Sequence, residues 1–210
     1  MGDLNQLDFM TENCHMVTGP ILEIGSKDYG NTNDFRKLFP NELYVGIDQE
    51  SGKSVDIVCD FTSDYEFLKK IIGVEQFRTV ICFSVLEHCK YPFKIAENIS
   101  RFLVEGGIIF LSVPFVWNIH AYPDDYWRFT PASIPVLFPQ FKLLEDKSFY
   151  STKIRGEHLP FTHNLKQWQR LTFRSSILNR IVQWLCLAEP VYPYTMIPVN
   201  INTVLVKNSR

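Results

Sequence analysis

The sequence predicts an α/β fold, a doubly wound and mostly parallel sheet with helices on both faces. Three observations predict it. Short, β-branched apolar runs at Ile21–Ile24, Leu43–Ile47 and Val55–Val58 each end in a polar residue, as strands buried on both faces do where their carboxyl ends meet solvent. Helical patterns with their own start and stop signals alternate with these runs. The 210 residues contain no internal repeat and no low-complexity linker, and suit one domain with a sizeable core.

The elements follow in order. Residues 1–20 hold a short apolar–polar stretch that reads as a helix, leading through Gly19-Pro20 into the first strand, Ile21–Ile24. Asn31–Phe39 is a brief crossover helix, opened by Asn, Thr and Asp and stopped by Pro40. Two strand runs follow, and then Ser63–Glu66 reads as a capping box. It opens a helix with Phe67, Leu68, Ile71 and Ile72 on the buried face and Gly73 at the end. Thr79–Phe83 is the fourth strand. Pro92 suits a first helical turn, and Ile95, Ile99, Phe102 and Leu103 form its apolar stripe up to a Gly106-Gly107 stop. Ile108–Val113 is the fifth strand. Thr130-Pro131 opens another turn that Pro135 and Pro139 keep short. Phe141–Phe149 and Val199–Lys207 are the last two strands.

Between those strands, at about 150–198, lies an insertion. From Thr152 to Ile197 it carries six basic residues (Lys153, Arg155, Lys166, Arg170, Arg174, Arg180) and two acids (Glu157, Glu189). Trp168, Leu171, Leu178, Ile181 and Leu185 recur at helical spacing, with a break near Ser175-Ser176 and an end at Pro190 and Pro193. Two readings stay open. One is a lid or homodimer-interface helix. The other is a basic, aromatic face on anionic membrane or a lipid-linked acceptor.

Composition excludes some classes. A net charge of -2 supplies no basic field, so nucleic acid is not an expected partner. Five cysteines without regular spacing, two of them (Cys59 and Cys82) inside predicted strands, point to free thiols in a reducing, cytoplasmic setting. The opening MGDLNQLDF has neither the basic flank nor the apolar core of a signal peptide, and no run is long and apolar enough to span a membrane.

In open parallel sheets, ligands bind outside the carboxyl ends of the strands. That places Glu23 and Gly25, Asp48 and Asp60 along one rim. Gly25 lets the backbone approach a ligand closely. Asp48 lies 23 residues past Gly25 (48 − 25), where an acidic residue takes the ribose hydroxyls of a nucleotide. Asp60 lies far enough along to reach the adenine edge.

The run ILEIGSKDYG over Ile21–Gly30, with Phe83–His88 (FSVLEH), Gly106–Phe115 (GGIIFLSVPF) and His120–Thr130 (HAYPDDYWRFT), resembles the class I S-adenosylmethionine-dependent methyltransferases. The likeness is to the small-molecule branch called methyltransferase type 11, and extends from Ile21 to about Phe141. It implies a Rossmann-like sheet with an antiparallel last strand, S-adenosyl-L-methionine as cofactor and a small-molecule acceptor. It gives Glu23 the methionine ammonium through water, and Gly25 and Ser26 the close backbone contact. Asp48, with Gln49 beside it, takes the ribose. Asp60 takes the adenine amino group, Phe61 offers its amide or its ring, and Ser84 faces the methionine arm. Lys27 stands where the family commonly has a second glycine. A side chain there requires negative φ, and its amine is placed to pair with the cofactor carboxylate.

Methyl transfer from a sulfonium is an in-line displacement, so alignment supplies most of the rate. An alcohol acceptor must also lose its proton. His120 is the expected base, with Asp124 or Asp125 orienting it or holding acceptor hydroxyls, and His88 bordering the cofactor. Arg128 would clamp an anionic or sugar-like acceptor between walls of Tyr122, Tyr126 and Trp127. The competing reading is a loop folded on itself by salt bridges. Glu87, His88 and His120 would form only a depleted metal site, because Ser84 replaces the first of the two glutamates that some relatives use. Glu87 is therefore expected to cap the next turn, and no metal is assigned. The loop resembles enzymes of surface-glycan synthesis, which favours O-methylation of a sugar or glycoconjugate.

Two other classes compete. A nicotinamide oxidoreductase needs a middle glycine that Gly25-Ser-Lys-Asp-Tyr-Gly30 lacks, and it leaves Asp60 unused. A non-catalytic methyltransferase-like module binding a partner through the insertion has no need of three intact rim acids.

Overall fold

The apolar runs assemble into one eight-stranded sheet in the computed structural model, which describes residues 5–30, 33–120, 124–152, 156, 158–161 and 198–209. The strands are β1 (Ile21–Ile24), β2 (Tyr44–Asp48), β3 (Ile57–Val58), β4 (Phe77–Phe83), β5 (Leu103–Pro114), β6 (Phe141–Ser151), β7 (His158–Pro160) and β8 (Asn200–Lys207). Their order is β3-β2-β1-β4-β5-β8-β6-β7. The first five strands pair in parallel. β8 runs antiparallel between β5 and β6, so the sheet is mostly parallel with an antiparallel last strand, as expected.

Strand alternation divides the core between the two faces. Leu22 and Ile24 of β1, Val80 and Cys82 of β4 and Ile109 and Leu111 of β5 face one side. There they pack on α2 (Tyr65–Ile72), α3 (Pro92–Phe102) and α4 (Ile134–Leu137). Ile21, Ile81, Phe83, Phe110 and Val204 face the other side. There α1 (Asn5–Asn13) inserts Phe9, whose ring lies 5.4–5.9 Å from those of Phe83, Phe110 and Phe149.

Several elements differ from expectation. The described part of Asn31–Phe39 forms only a 3-10 turn, Phe35–Leu38, with no side-chain cap at Asp34 and with Pro40 close behind. Asp64, not Ser63, caps α2, its carboxylate accepting from the Glu66 and Phe67 amides at 2.9 and 3.3 Å. Leu68 and Ile72 bury the inward side of that helix, whereas Phe67 turns outward and is 53% exposed. Gly106-Gly107 does not stop α3, because Phe102 passes directly into β5. The pair instead lies inside β5. Gly106 adopts φ +72, and a Cβ on Gly107 would stand 2.7 Å from Leu103 Cγ. β3 keeps only the last two residues of Val55–Val58.

The insertion, expected to be helical from about 150, begins with strand. β6 runs through Ser151 and β7 pairs against it, with the His158 ring stacked on Phe149 at 3.8 Å. The predicted helix over 168–185 lies outside the described residues. No helix among the described residues is long and apolar enough to cross a membrane.

Candidate functional site

The carboxyl ends of β1, β2 and β4 meet at Gly25. Its φ of +80 is one that side chains rarely adopt, and a Cβ there would stand 2.4 Å from Val85 Cγ2. Glycine is needed on both counts. The Gly25 and Ser26 amides both donate to the Ile47 carbonyl, at 2.8 and 3.1 Å, which bends the chain across the end of β2. Ser26 Oγ is buried without a hydrogen-bond partner. Lys27 stays out of the positive-φ region, as a side chain there requires. Its amine pairs with Glu50 at 2.5 Å and lies over the Tyr29 ring, rather than being free for a cofactor carboxylate.

Asp48 ends β2 half-buried and accepts from the Lys27 and Glu50 amides at 3.3 and 3.0 Å, so one carboxylate ties the loop after β1 to the turn after β2. Gln49 beside it is exposed. Asp60, also exposed, accepts from the Thr62 amide and hydroxyl at 2.8 and 2.7 Å. Of the two roles expected of Phe61, the one for its ring is removed. Its ring is buried 5.8 Å from that of Phe102, on the core side, so the ring is not a platform for adenine.

Glu23 is buried and accepts a 2.8 Å hydrogen bond from the Tyr44 hydroxyl. Burial pushes its carboxyl up to about 7, against the pull of that hydrogen bond. It holds Tyr44 in place.

The second half of the site is the loop after β5 with the 3-10 turn Leu86–His88. Arg128 does not reach outward to an acceptor. It grips Asp125 with both terminal nitrogens, at 2.5 and 2.7 Å, and donates to the Trp117, Asn118 and Trp127 carbonyls. The loop thus folds on itself as the competing reading had it, with an internal arginine. That grip holds the Asp125 carboxyl well below the usual carboxylate range. Asp125 in turn lies 3.1 Å from His120 Nδ1, so Asp125 and not Asp124 orients that imidazole. Asp124 accepts from the Tyr126 hydroxyl at 2.6 Å, and its carbonyl lies 2.7 Å from His88 Nδ1. Trp127 donates to the Cys89 carbonyl at 2.8 Å. Tyr126 and Trp127 are partly exposed, and Tyr122 lies outside the described residues.

Glu87 does not cap a turn. It is buried, one of its carboxylate oxygens has no hydrogen-bond partner, and burial pushes the carboxyl up to about 8. One ligand atom each from Glu87, His88 and His120 lie within 4.8 Å of one another.

Sequence reasoning missed Gln6. Its amide, carried inward by α1, donates to the hydroxyls of Ser84 and Ser112 at 3.0 and 3.1 Å, at the ends of β4 and β5. Ser84 itself has φ +53. A glutamine in an amphipathic helix gives no sign in sequence of reaching a strand end 78 residues away. A separate groove of about 710 Å³, between α3, α4 and the start of β6, shares no lining residue with this rim.

No protein-family model matches the chain, and no curated protein matches it in sequence. Solved structures do match in shape. The chain resembles Burkholderia thailandensis 1,6-didemethyltoxoflavin-N1-methyltransferase, solved with 1,6-didemethyltoxoflavin and S-adenosylhomocysteine bound, over 98% of this chain and 79% of that one, at 10% identity and a TM-score of 0.58. An Archaeoglobus fulgidus SAM-dependent methyltransferase matches over 97% of this chain and 94% of its own, at 13% identity and a TM-score of 0.57. The [4+2]-cyclase SpnF matches over 99% of this chain and 82% of its own, at 13% identity and a TM-score of 0.57. The chain therefore has the fold of the class I S-adenosylmethionine-dependent methyltransferases.

Proposed function

We propose that this chain is an S-adenosyl-L-methionine-dependent methyltransferase of a small molecule, acting on a hydroxyl of a sugar or glycoconjugate. The observation that carries the reading is the rim itself. Gly25 holds a backbone approach that no side chain could occupy, flanked by Glu23 at the end of β1 and Asp48 at the end of β2. S-adenosylmethionine carries a sulfonium and an ammonium and no phosphate, so an acid-rich, base-poor rim suits it. Asp48 has the reach for ribose hydroxyls and Asp60 for the adenine edge. Ser84 and Gln6 border the methionine arm.

The acceptor is placed at the Glu87–His88–His120 cluster, with Tyr126 and Trp127 as walls. The contacts of His120 Nδ1 are the Asn118 carbonyl and the Asp125 carboxylate, neither of which has a proton to give. The ring hydrogen therefore sits on Nδ1, and in a metal-free site the lone pair of Nε2 takes a proton from the acceptor. Asp125 stabilises the imidazolium that results.

Calorimetry tests the cofactor half. S-adenosylhomocysteine should bind with micromolar affinity or tighter, and NADH should not bind. Asp48→Ala removes two charge-assisted hydrogen bonds of about 1.5–3 kcal/mol each and should weaken binding at least tenfold. Unchanged affinity in that variant overturns the assignment. The fold alone also carries the activity named for SpnF. A labelled methyl group found on product, by mass spectrometry over a panel of nucleotide sugars, phenols and lipid-linked sugars, separates transfer from cofactor binding without turnover.

A further inference from the structure

We propose that Glu87, His88 and His120 bind one divalent first-row transition ion, which holds the oxygen to be methylated. Glu87 is the first argument. A carboxyl group that is 1% exposed, with an oxygen lacking any hydrogen-bond partner, is a polar group buried without compensation unless a ligand faces it. Its other oxygen lies 4.0 Å from His88 Nε2.

The two imidazoles are the second argument. His88 Nδ1 lies 2.7 Å from the Asp124 carbonyl, and a carbonyl only accepts. Its ring hydrogen is therefore on Nδ1 and its Nε2 is bare. His120 is fixed in the same tautomer by the Asn118 carbonyl and by Asp125, whose carboxylate is anchored by Arg128. Metal-ligating histidines almost always donate their other N–H to a carbonyl or carboxylate in this way. Each of the two rings is thus set, by a different outer partner, to offer Nε2.

The donor set selects the ion. Two imidazoles and one carboxylate suit zinc, iron, cobalt or nickel, whereas magnesium and calcium prefer all-oxygen shells. Metal–donor bonds of roughly 2.0–2.2 Å require the donors, now within 4.8 Å of one another, to close in by about an ångström. His88 and His120 are partly exposed and lie edge to face at 4.8 Å, so ring rotation provides that movement.

Three protein ligands leave positions open for the acceptor. The role, though not the binding, rests on the methyl transfer proposed above. With the ion present, the lone pair of His120 Nε2 is committed to it. The acceptor hydroxyl, as a ligand of the ion, loses its proton to solvent. Its oxygen then forms the O–CH3 bond as the S–CH3 bond of S-adenosylmethionine breaks, with that electron pair left on sulfur.

Cobalt(II) titrated into the chelator-treated full chain tests the binding without activity. One equivalent should bind, giving visible d–d absorption, and zinc should displace it. Glu87→Gln and His88→Ala should each weaken cobalt binding at least tenfold, while Asp60→Asn should not. Absence of d–d absorption, equal binding in Glu87→Gln, or an intense thiolate-to-cobalt band showing capture by cysteine would each overturn the site. S-adenosylhomocysteine calorimetry on the same chelator-treated protein keeps the two proposals apart. Cofactor binding without cobalt binding sinks the ion alone, and cobalt binding without cofactor binding sinks the methyltransferase reading.

Discussion

At the residue scale, the buried acids carry the sharpest expectations. Glu23 has a folded pKa of about 7 against about 4.5 in the unfolded chain. Its protonated form therefore favours the folded state below about pH 4.5, and that contribution is lost as pH rises through about 7. Glu23→Gln keeps an acceptor for Tyr44 and removes the titration. It should stabilise the protein by up to about 3 kcal/mol near pH 8 and by little near pH 4, measured by denaturant unfolding at both. The cofactor ammonium reverses the local balance by favouring the carboxylate. S-adenosylhomocysteine binding near pH 6 should thus release a proton, read by calorimetry in buffers of different ionisation heat. His120→Ala should lower turnover by roughly 10²–10⁴ and leave cofactor affinity intact. Asp48 was legible because it closes an apolar run that folds as a buried strand, whereas the run before Asp60 leaves Val58 exposed. Arg128 was not legible. What it binds, apart from Asp125, is the backbone carbonyls of Trp117, Asn118 and Trp127, and a carbonyl leaves no mark in a sequence.

At the element scale, the β1 loop is held by one steric fit. Gly25→Ala adds both a left-handed backbone penalty of about 1–2 kcal/mol and a clash with Val85. Val85→Ala in the same chain should remove the clash and not the penalty, so the double variant should recover part of the lost stability and cofactor affinity. Additive losses in that double-mutant cycle would show that Val85 does not press on the loop. The helices were legible in position and less so in their ends. Ser63 and Asp64 are both able caps, and a shift of one residue decides which is used. Phe67 reads as core by composition, yet Leu68 and Ile72, four apart, define the inward side of α2 and leave it outside. The β5 start was missed because a glycine pair normally reads as a break, and here it lies inside the strand.

At the scale of the whole molecule, pattern alone predicted alternating strands and helices but not their lateral order, which depends on contacts far apart in sequence. One such contact closes the far side of the sheet. Lys207, in the last strand, donates from Nζ to the Ser100 and Leu103 carbonyls at 2.7 Å each, where α3 becomes β5. A cation there satisfies carbonyls left over at a helix end. Lys207→Met should cost about 1.5–3 kcal/mol, seen as a lower denaturant midpoint with an unchanged slope.

The lateral order also sets a timetable. β5 is finished at Pro114 and its partner β8 begins at Asn200, 86 positions later (200 − 114). At ribosomal rates of about 5–20 residues per second, that edge waits roughly 4–17 s for its complement. An unpaired apolar edge is a template for strands of other chains. Because the gap lies in the middle of the sheet rather than at its border, a nascent chain is most prone to aggregate when most of it is already made. Chaperone capacity during synthesis, more than the stability of the finished fold, should then govern how much soluble protein a cell yields.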